Sequence, residues 1–124
     1  NEGEHRVADY TVVVDAGHGG VDPGKVGVDG QLEKDINLQI ALKLKEVLEG
    51  NETINIEVIL TRDEDMGYYS ENDSNKKMAD MRKRCEIVNN AEADALVSIH
   101  QNSYHSSLPS QHQDKRLYLA NLSC

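Results

Sequence analysis

The sequence predicts an α/β fold, a mostly parallel twisted sheet flanked by helices in three layers. Three observations carry this prediction: short apolar runs rich in β-branched residues, longer segments of helical periodicity between them, and a glycine-rich loop directly after the first run. A chain of 124 residues suffices for one domain with a working core. With no Trp or Phe and five Tyr, that core must be aliphatic, which suits Val and Ile strands under Leu-bearing helices.

Residues 1–10 are polar and mixed and read as a linker or frayed end. Thr11 to Asp15 reads as a strand whose apolar character is continuous rather than alternating, as in parallel strands covered on both faces. The loop "DAGHGGVDPG" follows at 15–24. From Leu32, the residues Leu32, Ile36, Ile40, Leu44 and Leu48, with Ala41 and Val47 beside them, form one face of a helix ending at Gly50. Ile56 to Leu60 is a second strand, left through "TRDED" into a long polar loop. Lys77 to Ala91 is a second helix with Met78, Met81, Cys85 and Val88 as its apolar stripe, and Ala95 to Ile99 is a third strand. Residues 105–124 are rich in Ser, Gln and His, offer no convincing element beyond a hint at "LYLANL", and read as a poorly ordered tail.

Strands alternating with helices give crossover connections and a parallel sheet, and ligands of such sheets sit outside the carboxyl ends of the strands. One edge then gathers Asp15 and His18, Arg62 and Asp63, and His100 and Asn102. A hydrolytic zinc site needs three protein ligands and an open fourth position. His18 and His100 meet that need if the loop 19–32 folds Glu33 back beside them; such a set suits Zn²⁺ and accepts other first-row metals. Spacing alone leaves other readings open, since there is no compact H-E-x-x-H signature. His18 then contacts substrate or a loop carbonyl, and Glu33 is helix N-terminal charge favoured by the macrodipole. Arg62, Asp63, Arg82 and Arg84 read as solvated charge, Met78, Met81 and Cys85 as core filling, and His5, His105 and His112 as exposed.

The net charge of −9 with no basic stripe excludes a nucleic-acid backbone as the main partner. The loop lacks the Lys and Ser/Thr of a phosphate loop and is not G-x-G-x-x-G, which disfavours a nucleotide-binding signalling domain. Cys85 and Cys124 form no C-x-x-C pair, so neither a zinc knuckle nor a disulfide framework is indicated. No apolar run approaches the ~20 residues of a membrane span. The first residue is Asn, not Met, so a processed or trimmed chain is expected, and an export signal or anchor ahead of it stays open.

The segments "VVVDAGHGGVDPG", "EKDINL", "VILTRDED" and "ADALVSIHQNSY" together resemble the zinc-dependent N-acetylmuramoyl-L-alanine amidases of the amidase_3 family, from about Thr11 to Tyr104. "SIHQNSY" most resembles the sporulation branch that processes spore-cortex peptidoglycan. The resemblance implies a catalytic domain over 11–104 and one Zn²⁺ held by His18, Glu33 and His100. It implies a cleft segment at Asn102 and Ser103, substrate-side roles for Asp15, Gly19 and Arg62, and support from Arg62, Arg84 and Asn89. The implied reaction is hydrolysis of the amide between the lactyl group of N-acetylmuramic acid and L-alanine of the stem peptide. Zinc lowers the pKa of water toward ~7 for that purpose. Peptidoglycan of wall or cortex, an exported location and room for a protein activator follow from the same resemblance.

The family pattern also carries a late glutamate, in a motif resembling "VEIGF", as general base, whereas the last glutamate here is Glu92. The fold is therefore expected to be incomplete relative to the family, as in a truncated or frame-shifted product. A missing base lowers turnover by ~10²–10⁴, so the alternative is a zinc-binding remnant acting, if at all, as a binding module. Asp15, Asp63 or His105, or a partner chain completing the sheet, would be the substitutes.

Overall fold

The computed structural model describes residues 7–102 and 114–120, with Asn102 and 114–120 described through their backbone. The elements are β1 (Tyr10–Ala16), α1 (Glu33–Glu49), β2 (Ile56–Leu60), α2 (Lys76–Ala91), β3 (Ala95–Asn102) and β4 (Asp114–Ala120). The sheet order is β2-β1-β3-β4. β1 pairs in parallel with β2, Val13 facing Ile59, and with β3, Val13 facing Leu96. Because the chain steps from β1 to one neighbour and then across to the other, connections of one hand place the two helices on opposite faces. The result is the three-layer α/β arrangement that the apolar runs predict.

Each face of the sheet has its own core. Val14, Ala16, Val58 and Ile99 pack with Ala41, Ile40, Leu44 and Leu48 of α1. Val13 and Leu96, offset by one residue along the strands, pack with Val88 of α2 and Ala93. Val13, Val14 and Ile99 are fully buried, each worth about 1.5–3 kcal/mol of transfer free energy.

Three expectations are corrected. Val47 is 58 % exposed, outside the α1 stripe. Met78 and Met81 are 45 % and 62 % exposed, and the buried residues of α2 are Arg84 and Val88. At 100° per residue Arg84, Val88 and Ala91 lie to one side of the methionine stripe, so the helix is turned to aim an arginine at the sheet. The segment read as a tail contributes β4, antiparallel to β3 with Ile99 facing Leu117, where it covers an edge that would otherwise present unpaired backbone groups. Among the described residues no helix is long and apolar enough to cross a membrane.

Electrostatics explain the turn of α2. Arg84 Nη1 donates to Asp15 Oδ1 at 2.9 Å, and Thr61 Oγ1 and Ser98 Oγ donate to the same carboxylate at 2.7 and 2.9 Å. Arg84 Nε lies 2.9 Å from Asp80 Oδ2, an ion pair whose angle does not make a hydrogen bond. β1, β3, the residue after β2 and α2 thus meet on one carboxylate. Burial would raise the Asp15 pKa, but Arg84, Thr61 and Ser98 outweigh it and hold the carboxyl below its ordinary 3.8.

A folded pKa below the unfolded one gives stability that is complete above the ordinary value and lost as pH falls through the folded value. Asp15→Ala is therefore expected to cost about 2 kcal/mol at pH 7, because it removes one of the two carboxylates paired with a largely buried guanidinium and leaves Asp80 and two backbone carbonyls to hold it. The difference from the parent in urea denaturation should hold down to about pH 5 and shrink below pH 4. A difference that does not change with pH would remove the ionised Asp15 from this role.

Candidate metal centre

The site forms where β1 and β3 end side by side. Their register sets Ala16 opposite Ile99, and Gly17 N–H donates to Ile99 O at 3.0 Å, which brings the next residues of both strands together. His18 and His100 consequently stand edge to face, ring centroids 5.2 Å apart. Glu33 arrives from the other direction, as the first residue of α1. The intervening loop is folded back by bridges between Gly19 and Asp22 and between Val26 and Leu32, and by Glu33 N–H to Lys25 O at 2.8 Å.

The loop backbone is held by cations. Arg62 donates from Nε to Ala16 O at 3.0 Å and from Nη2 to Gly17 O at 3.1 Å. Arg84 donates to Ala16 O and His18 O, both at 2.6 Å. Three consecutive carbonyls are thereby fixed, with His18 at φ 66°. That left-handed conformation costs a non-glycine residue about 1–2 kcal/mol, and the arginine bonds on either side over-determine it.

Two glycines make room for these three side chains. A Cβ on Gly17 would lie 2.4–2.8 Å from the His100 ring, and one on Gly24, at φ +70°, would lie 2.6 Å from Glu33 Oε1 and 2.7 Å from the His18 ring. The imidazoles and the carboxylate therefore occupy space that any side chain would take.

His18 Nε2 lies 3.3 Å and His100 Nδ1 3.4 Å from Glu33 Oε2. The three ligand atoms all fall within 4.8 Å of one another. For donors about 2.0–2.1 Å from a tetrahedral metal, the separation between two donors is about 3.3–3.4 Å, which both distances to Glu33 Oε2 match. His18 Nδ1 sits 2.8 Å from Asp22 Oδ2. With Nδ1 engaged by Asp22, Nε2 is the ring nitrogen left to face Glu33 Oε2. Glu33 is 4 % exposed. Burial would raise its pKa, but the N–H groups of Lys25 and Gln101, the charge of His18 and the amide of Asn37 outweigh it and keep the carboxyl low. Among the described residues this is the group of His, Cys, Asp and Glu side chains able to hold a metal ion. It opens on a cleft of about 480 Å³ shared with Asp22, Lys25, Lys77 and Gln101.

The other site residues read from the sequence lie elsewhere. Asp15 points to the α2 face and is engaged by Arg84, Thr61 and Ser98, and Arg62 is 2 % exposed with its donors on backbone carbonyls. Neither lines the cleft; both hold the loop, the support that the resemblance implies for Arg62. Gly19 is buried beneath Met66, whose carbonyl a Cβ would meet at 2.3 Å. Arg84, read from residue type as surface charge, is buried. Asp63 is exposed and does not line the cleft. Asn102 ends β3. Ser103, His5, His105 and His112 fall outside the described residues. Sequence reading missed Asp22, Asn37 and Gln101. The available signals were spacing: Asp22 is four residues after His18, and Asn37 is four after Glu33 on the same helical face.

The chain is similar to known proteins. The Amidase_3 family, described as N-acetylmuramoyl-L-alanine amidase, matches residues 12–111. The germination-specific N-acetylmuramoyl-L-alanine amidase of Bacillus subtilis is 36 % identical over 103 residues, covering 81 % of this chain and 40 % of that protein. The sporulation-specific amidase of the same organism is 41 % identical over 92 residues, covering 74 % of this chain and 31 % of its own length. The CwlD amidase from Clostridioides difficile, solved in complex with the GerS lipoprotein, superposes with a TM-score of 0.72 at 41 % identity, covering 80 % of this chain and 51 % of that one. The chain thus spans about a third to two fifths of these curated relatives and half of that solved chain. With a family match over most of its residues and a sheet that superposes on a solved member, this chain belongs to the N-acetylmuramoyl-L-alanine amidase family Amidase_3.

Proposed function

We propose that His18, Glu33 and His100 hold one Zn²⁺ and that the chain serves hydrolysis of the amide between N-acetylmuramic acid and L-alanine in peptidoglycan. The convergence of two imidazole nitrogens on one carboxylate oxygen, at 3.3 and 3.4 Å, carries this reading. A zinc ion there supplies Lewis-acid polarisation of the scissile carbonyl and a nucleophile from water at neutral pH. Asp22 fixes the His18 tautomer, the glycine at 17 seats the His100 ring, and the buried Glu33 is kept anionic by its donors. Of the carboxylates lining the cleft, Glu33 is a ligand and Asp22 orients one, so the proton acceptor is not assigned among the described residues. Likeness to germination-specific and sporulation-specific amidases supports a cortex or wall substrate met outside the cytoplasm. A protein activator is in keeping with the lipoprotein complex of the solved neighbour.

Elemental analysis of the purified chain should find close to one zinc per chain, falling to background in His18→Ala and His100→Ala. Unchanged metal content in those variants would end the metal reading. Incubation with purified peptidoglycan, with and without added Zn²⁺, should release new L-alanine amino termini in a zinc-dependent manner. Zinc without such release would keep the metal reading and locate the missing proton acceptor outside the described residues. Gly17→Ala should displace the His100 ring and weaken zinc binding by ~10-fold or more with helix content retained. Full zinc affinity in that variant would show that the ring position is not what the site requires.

A further inference from the structure

From the hydrogen bonds around Glu33 we infer that Asn37 and Gln101 form a buried amide relay that positions Glu33 as a metal ligand, a role resting on the zinc reading above. Asn37 is fully buried and Gln101 is 8 % exposed. Asn37 Nδ2 faces two acceptors, Gly17 O at 3.0 Å and Glu33 Oε2 at 3.4 Å. That fixes the orientation of its amide, since the opposite flip would aim an oxygen at both. Asn37 Oδ1 then needs a donor and receives Gln101 Nε2 at 3.2 Å, which fixes the second amide in turn. The Gln101 backbone N–H donates to the same Glu33 Oε2 at 2.9 Å.

The relay has a cost that marks its direction. Gln101 Oε1 is buried with no hydrogen-bond partner among the described residues, an omission worth about 1–3 kcal/mol. A pair selected for stability alone would be better replaced by two apolar residues. Here every amide donor leads toward Glu33 or the carbonyl beside its histidine partners, and the orphan acceptor is what remains at the far end. Glu33 Oε1 is separately held by Lys25 N–H at 2.9 Å, so both carboxylate oxygens are aimed and Oε2 is left facing the two imidazoles. The Asn37 and Gln101 amides bond to each other, to Glu33 and to Gly17 O, and act through Glu33 as positioning groups.

Chelator competition for Zn²⁺ and the visible spectrum of the Co²⁺-loaded chain test the relay in Asn37→Leu and in the double variant Asn37→Leu/Gln101→Met. Asn37→Leu should bind zinc ~10–100-fold more weakly and shift the Co²⁺ bands. The double variant removes both amides together and should recover folding stability, because no buried donor is left without an acceptor, while zinc affinity stays low. A purely structural role predicts the opposite, affinity returning with stability. Affinity within about twofold of the parent in either variant overturns the relay, since a ligand-orienting partner costs at least tenfold. If Asn37→Leu does not fold, the double variant decides alone. A parent chain that binds no zinc overturns the metal reading and the relay with it, whereas zinc binding in the parent with indifferent variants overturns the relay only.

Discussion

The structure depends on two buried arginines holding the carbonyls of Ala16, Gly17 and His18. Arg62 leaves the end of β2 and Arg84 comes from the middle of α2, and both converge on the exit of β1. Burial and the neighbouring Arg84 charge lower the Arg62 pKa, while Asp65, Asp15 and Asp80 offset them. A guanidinium suits this task because its planar fork reaches several acceptors at once and stays charged at any physiological pH. Without it, the carbonyls of Ala16 and His18 would lose these donors, Gly17 O would keep Asn37 Nδ2, and the left-handed conformation of His18 would lose the bonds on either side of it.

From that clamp the rest of the site follows by proximity. Once His18 is fixed, the parallel register with β3 places His100 against Gly17, and the helix that returns over the sheet delivers Glu33 between them. Lys34, the next residue of α1, ties the opposite side of the loop by donating to Gly20 O and Asp65. The loop is rich in glycine, yet its conformation is specified by side chains from α1, α2 and the segment after β2. Here the glycines supply room for close approach more than freedom to move.

The charge distribution fits the same plan. A chain of net charge −9 places its buried cations against backbone oxygens and Asp15, and its buried anion at the cleft. Lys25 and Lys77 stand at the mouth of that cleft. A carboxylate that remains ionised despite burial is what a divalent cation requires of a ligand, because metal and proton compete for the same lone pair. Glu33 meets the requirement through donated hydrogen bonds rather than exposure to water.

Periodicity and residue type were enough for the fold class, for five of the elements within a few residues, and for the strand ends on which His18 and His100 fall. The family motifs pointed to Glu33 as their companion. Those features are local, or follow from the rule that parallel strands carry ligands at their carboxyl ends. The sequence alone did not reveal which face of α2 is buried, because apolarity favoured Met78 and Met81, while a long-range bond between Arg84 and Asp15, 69 positions apart, turned the helix the other way. It also did not show that Asp15 and Arg62 face inward, that Asp114–Ala120 pairs with β3, or that Asn37 and Gln101 meet at Glu33. Each is decided by partners distant in sequence, and hydrogen bonds between buried polar groups leave no periodic trace. By itself the sequence determined the alternation of strand and helix and the residue types that meet at the candidate site; tertiary structure decided orientation and partnership, since burial makes each polar group depend on whichever acceptor or donor the fold brings within about 3 Å.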